Sequence, residues 1–146
     1  MVDSKVYAVT VCVLIHRGDS WLLVVRAPGV AYAPNKIGLI GGHVDLSRPV
    51  AGVLEATARR EVDEEVGVDL SEVPLHYLES EFFITDEGER QITITFTAHA
   101  PPEIEPYPNA PDELTEVGWW TLDDLEADPR CPSWLPPLIR RASDVP

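Results

Sequence analysis

Between Leu54 and Val66 an apolar residue recurs at every fourth position, as Leu54, Ala58, Val62 and Val66, with Glu61, Glu64 and Glu65 set beside that row. This spacing constrains the chain to an amphipathic helix, with one stripe buried and a carboxylate edge next to it. At about 100° per residue the three glutamates fall within roughly one third of the helix circumference. Asp63 points away from them. The carboxylates therefore lie at the seam between core and solvent.

Like charges at i,i+3 and i,i+4 cost a helix about 0.2–0.5 kcal/mol per pair, and more where water is partly excluded. A divalent cation removes that cost. The donors are carboxylate oxygens, with no Cys or paired His among them, so they suit Mg²⁺ or Mn²⁺ better than Zn²⁺. Acidic clusters in acidic proteins are more often solvated faces, and taken alone this cluster leaves both readings open.

The surrounding residues add to it. Leu39-Ile40-Gly41-Gly42-His43-Val44-Asp45 is a short apolar run that ends in a double glycine, and Arg60-Glu61-Val62-Asp63-Glu64-Glu65-Val66-Gly67-Val68 follows. The stretch from Gly41 to Val68 resembles the signature of the Nudix hydrolases, a glycine pair followed by a helix reading Arg-Glu-apolar-x-Glu-Glu-x-Gly-apolar. The second half matches at every specified position. The first half departs from the pattern. The loop Asp45–Val50 is about four residues too long, and the family's glutamate falls at Gly52 counting back from Arg60, or at Arg48 counting forward from Gly42. Glu55, one turn further on, is a partial substitute, and Ile40 stands where the family has proline.

The resemblance implies an α/β fold, an α/β/α sandwich with a mixed β-sheet, and hydrolysis of a phosphoanhydride in a nucleoside-diphosphate-linked substrate with Mg²⁺ or Mn²⁺ as cofactor. It assigns Glu61, Glu64 and Glu65 as metal ligands, with the Gly41 carbonyl as a further oxygen. Arg60 would hold one glutamate in place, or form an ordinary surface pair with Glu64. Glu64, within the box, and Glu113, in a later acidic loop six residues before Trp119, are the catalytic carboxylate candidates. Arg26, at a strand end, and His43, after the double glycine, are the substrate-binding candidates. Tyr32, Phe83, Trp119 and Trp120 are aromatic rings available to stack on a base.

Composition sets outer bounds. At 146 residues and 45% hydrophobic content the chain suits one soluble domain spanning 1–146. The net charge of −14 argues against nucleic acid or anionic membrane as partner. Without the three cluster glutamates it would still be −11, so the acidity is general. Cys12 and Cys131 form no framework, and the apolar run from Val6 to Ile15 is too short to span a bilayer, which points to the cytoplasm. A nucleotide substrate and a homodimer are the partners the resemblance implies.

The segments alternate between strand and helix patterns. Strands are expected at Lys5–His16, Trp21–Arg26, Ile37–Ile40, Leu75–Thr85, Gln91–Ala100 and Glu116–Trp120. Helices are expected from Pro49 to about Val66, after a Thr121 cap, and over Trp134–Arg141. The five prolines between Pro101 and Pro111 require an irregular loop. Two function classes follow: a metal-dependent hydrolase, and a non-catalytic Nudix-fold module that senses a nucleotide.

Overall fold

The computed structural model describes residues 5–144. The long strand β1 (Tyr7–Arg17) is the axis of the molecule. One edge pairs in parallel with β6 (Arg90–His99), in register from Tyr7↔Arg90 to His16↔His99. The other edge is shared between two antiparallel partners. Thr10 to Val13 meet β4 (Ile40–His43), and Ile15 to Arg17 meet β2 (Ser20–Arg26). β2 carries β3 (Ile37–Gly38) and β7 (Leu114–Trp120), and β5 (His76–Ile84) flanks β6, completing a mixed seven-stranded sheet.

Strand alternation loads both faces of this sheet. Val11, Val13, Ile15, Leu22, Val24 and Phe96 face one core, which α1 (Val53–Val66) closes with Ala58, Val62 and Val66. Leu14, Trp21, Leu23 and Val25 face a second core, closed by α2 (Leu122–Ala127) and α3 (Leu135–Ser143) through Leu125, Leu135, Leu138 and Ile139. Helices thus cover both faces, the α/β/α layering expected. The apolar row on α1 is the buried one: Ala58, Val62 and Val66 are fully buried, and Leu54 packs at the edge.

Most elements shift by one or two residues from their expected bounds, and three of the differences change the path of the chain. The expected strand Ile37–Ile40 is two strands, because the chain changes partner at Leu39, from β2 to β1. The helix expected from Pro49 begins at Val53, since Gly52 takes a left-handed conformation (φ 66°) that breaks the right-handed path before it. β7 starts two residues early, at Leu114, where its pairing with Arg26 adds a bulge. The Thr121 cap forms as expected, with its hydroxyl accepting from the Asp124 N–H and the Asp124 carboxylate accepting from the Thr121 N–H.

Candidate active site

The site lies where β4 meets the C-terminal half of α1. The Gly41 N–H donates to Glu65 Oε2 at 3.1 Å, tying the glycine pair to the helix. Both glycines are required by space. A Cβ at Gly41 would lie 2.3 Å from the Val11 carbonyl oxygen, and one at Gly42 would lie 2.4 Å from the Glu61 carboxylate carbon. The Glu61 carboxylate therefore rests directly over bare backbone.

Arg60 links the same parts from outside. Its Nη2 donates to Glu61 Oε1 at 3.0 Å and to the His43 carbonyl at 3.2 Å, and its Nε stands 3.9 Å from Glu64 Oε1. Both expected contacts are thus made by one guanidinium, though each glutamate takes a single nitrogen rather than the paired grip. Arg60 Nε is buried, with no hydrogen-bond partner among the described residues.

The three glutamates differ in environment. Glu65 is almost wholly buried and Glu61 mostly so, whereas the Glu64 side chain is 60% exposed. Asp63 faces solvent, as the helical spacing requires. Burial pushes the Glu65 carboxyl up to about 8; the Gly41 N–H opposes this, Glu61 and Glu113 add to it, and Arg26 works against it. Cys12, half-buried beside Gly41, has its thiol pushed up to about 12 by burial and by Glu65 and Glu61.

The long loop after β6 delivers Glu113. Its backbone closes over the end of α1, with Tyr107 N–H donating to the Val66 carbonyl and Asn109 N–H to the Glu65 carbonyl. Glu113 then offers its own carbonyl to the Ala27 N–H, next to Arg26. Glu113 and Arg26, 87 residues apart in sequence, are thus both brought within electrostatic reach of Glu65. Sequence reasoning did not find Asn109, Tyr107 or Cys12. The prolines around the first two were the only signal of a shaped loop.

Other expected residues lie further out. His43 contributes its carbonyl to Arg60, and its side chain is exposed. Glu55 folds back toward Gly52, with no hydrogen bond or ion pair to the cluster among the described residues. Trp119 and Trp120 face opposite sides of the sheet: Trp120 is in the second core, while Trp119 packs at the first with the Arg17 guanidinium 4.5 Å over its ring. Phe83 lies half-exposed on the β5–β6 hairpin.

Among the described residues no three His, Cys, Asp or Glu side chains stand as a preformed metal-ligand cluster. Glu64 turns to water while Glu61 takes Arg60. The donors nevertheless fit a hard divalent cation. They are carboxylate oxygens over a glycine cradle, one of them held against ionisation first by its burial and then by its acidic neighbours.

The NUDIX domain profile matches residues 6–142. The chain belongs to the Nudix hydrolase family. It is 34% identical over 122 residues to the NAD-capped RNA hydrolase NudC of Deinococcus radiodurans, a match that takes in 81% of this chain and 39% of that protein. The chain thus spans about two fifths of the length of the curated relatives it matches. A MutT NUDIX hydrolase from Burkholderia pseudomallei superposes with a TM-score of 0.75 at 28% identity, covering 94% of this chain and 98% of that one. The NUDIX domain of Shewanella oneidensis NrtR, complexed with ADP ribose, shares the fold at a TM-score of 0.75 and 23% identity, over 97% and 89% of the two chains.

Proposed function

We propose that this Nudix chain hydrolyses a phosphoanhydride bond in a nucleoside triphosphate or another nucleoside-diphosphate-linked substrate, with Mg²⁺ or Mn²⁺. The observation that carries this reading is the buried Glu65 carboxylate, pinned by the Gly41 N–H and crowded by Glu61 and Glu113. A buried carboxylate among like charges is costly unless a cation joins it.

Glu61, Glu64 and Glu65 would hold the ion, with the Gly41 carbonyl as a further oxygen. When bound, the ion neutralises charge that builds on the non-bridging phosphate oxygens during attack by water. Arg60 keeps Glu61 over Gly42 and fixes the end of β4 against α1. Glu113, opposite the helix, accepts the proton of the attacking water; Glu64 in the box is the alternative base. Among the described residues Arg26 has only its Nε engaged, to the Tyr32 carbonyl, so its Nη groups remain to meet a substrate phosphate. His43 lines the rim.

The general acidity supports a small nucleotide over a polyanion. The NudC relative is named for NAD-capped RNA, so NAD⁺ and ADP-ribose belong among the substrates tried first. We further propose action in the cytoplasm, as one domain and as a homodimer. No helix of the described residues is long and apolar enough to cross a membrane.

One departure keeps the second reading, a nucleotide-sensing module without turnover. The family's expected glutamate is missing, its position falling at Gly52, which takes a left-handed turn, or at Arg48. Phosphate release with Mg²⁺ or Mn²⁺ separates the two, measured on dNTPs, an oxidised dGTP, NAD⁺, ADP-ribose, nucleotide sugars and dinucleoside polyphosphates with pyrophosphatase or phosphatase added. Metal-dependent turnover lost in Glu65→Gln supports the hydrolase. Silence across the panel, with ADP-ribose still raising the melting temperature, supports the module.

A further inference from the structure

We infer that Tyr32 is the platform on which the planar ring of the substrate stacks, with Arg26 locking it beside the phosphates. This rests on the nucleotide reading of the same site and adds the group that recognises the non-phosphate end.

Three observations place the ring. The Arg26 guanidinium lies 5.5 Å from the Tyr32 ring centre, and its Nε donates to the Tyr32 carbonyl at 2.7 Å. One face of the ring is therefore backed by a cation. The residue is nonetheless 69% exposed, which leaves the other face open. Arg26 is also a cation that Glu65 feels, so one guanidinium is in contact with the ring and within electrostatic reach of the carboxylates. A nucleoside diphosphate likewise joins phosphates to a base.

The loop is held in this shape. Arg26 N–H donates to the Lys36 carbonyl at 2.9 Å and Asn35 N–H to the Arg26 carbonyl at 3.0 Å, closing the loop at its base. Ala33 and Asn35 take left-handed conformations (φ 46° and 64°), uncommon for residues with a Cβ and more so for alanine than for asparagine. Gly38 completes the support: a Cβ there would touch Arg26 Cγ and Cδ at 3.5 Å, so the arginine stem lies flat across bare backbone. An exposed aromatic on a loop with a fixed shape loses little freedom when a ring stacks on it. Stacking of this kind tolerates different bases, because each presents a π-face.

The test is calorimetric titration of AMP and of ribose 5-phosphate into the full chain with Mg²⁺, for wild type, Tyr32→Ala and Tyr32→Phe. The two ligands differ only in the adenine. Expected is a roughly tenfold or greater loss of AMP affinity in Tyr32→Ala, retained affinity in Tyr32→Phe, and no change for ribose 5-phosphate in either. Equal weakening of both ligands in Tyr32→Ala would mean a structural role for the loop and would overturn the inference. Unchanged AMP affinity would overturn it too. These affinities are read without turnover, so an inactive wild type refutes the hydrolase while leaving the fate of Tyr32 to the titration.

Discussion

At the scale of single residues, the three glutamates of the box are chemically distinct despite their common motif. Glu65 is buried and carries a raised carboxyl, while Glu64 lies in water beside Arg60. Both should be needed for turnover: Glu64→Gln and Glu65→Gln are each expected to lower kcat by about 100-fold or more, and Asp63→Asn by less than about twofold, in the phosphate-release assay. Equal losses at all three would sink the helical-face argument. The metal-free protein should tell the two glutamates apart.

Because the folded-state carboxyl of Glu65 sits near 8 and the unfolded one near 4.5, the folded protein holds a proton that the unfolded chain gives up. Stability linked to Glu65 is thus fully present below pH 4.5 and is lost as the pH rises to 8. Melting curves in EDTA should show that decline, Glu65→Gln should flatten it, and Glu64→Gln should leave it intact. A further residue-scale case is Gly42→Ala, whose Cβ has no room beside the Glu61 carboxylate. It is expected to weaken metal binding about 10- to 100-fold, measured by Mn²⁺ titration.

At the scale of elements, α1 depends on its ends more than on its cap. Its start has no side-chain cap, only the left-handed turn at Gly52, while its end closes at a left-handed Gly67 whose N–H donates to the Asp63 carbonyl. A Cβ at Gly67 would fall 2.3 Å from the Tyr107 ring. Gly67→Ala should therefore destabilise the fold by about 1–3 kcal/mol in urea denaturation and also disturb the loop that carries Glu113. On the other face of the sheet, Thr121→Ala removes one half of the α2 capping box. Its expected cost is about 1 kcal/mol with no change in KM, since α2 packs in the core away from the carboxylates. Kinetics that shift with Thr121→Ala would show that the two faces of the sheet are coupled.

At the scale of the whole molecule, a net charge of −14 sets the terms on which an anionic substrate approaches. Bound Mg²⁺ or Mn²⁺ should raise the melting temperature as its concentration passes Kd, and Glu65→Gln should abolish that rise. Much of the architecture is written locally. The apolar row from Leu54 to Val66, the Thr121 cap and the alternation that sends Trp119 and Trp120 to opposite faces of the sheet all follow from periods of two or 3.6 and from turn chemistry. The clustering of Glu61, Glu64 and Glu65 on one helical arc is local in the same way. Other features depended on contacts far along the chain. The chain left β2 for β1 at Leu39, because pairing partners lie outside any short window. Burial of Glu65 needed β4 laid against α1, and the approach of Glu113 and Arg26 needed the proline-rich loop to dock on the helix end. The sequence alone determined which side chains share a face, since spacing along a helix or strand decides that. Only the tertiary structure decided which faces meet, and with them which carboxylate is buried and which groups set its charge.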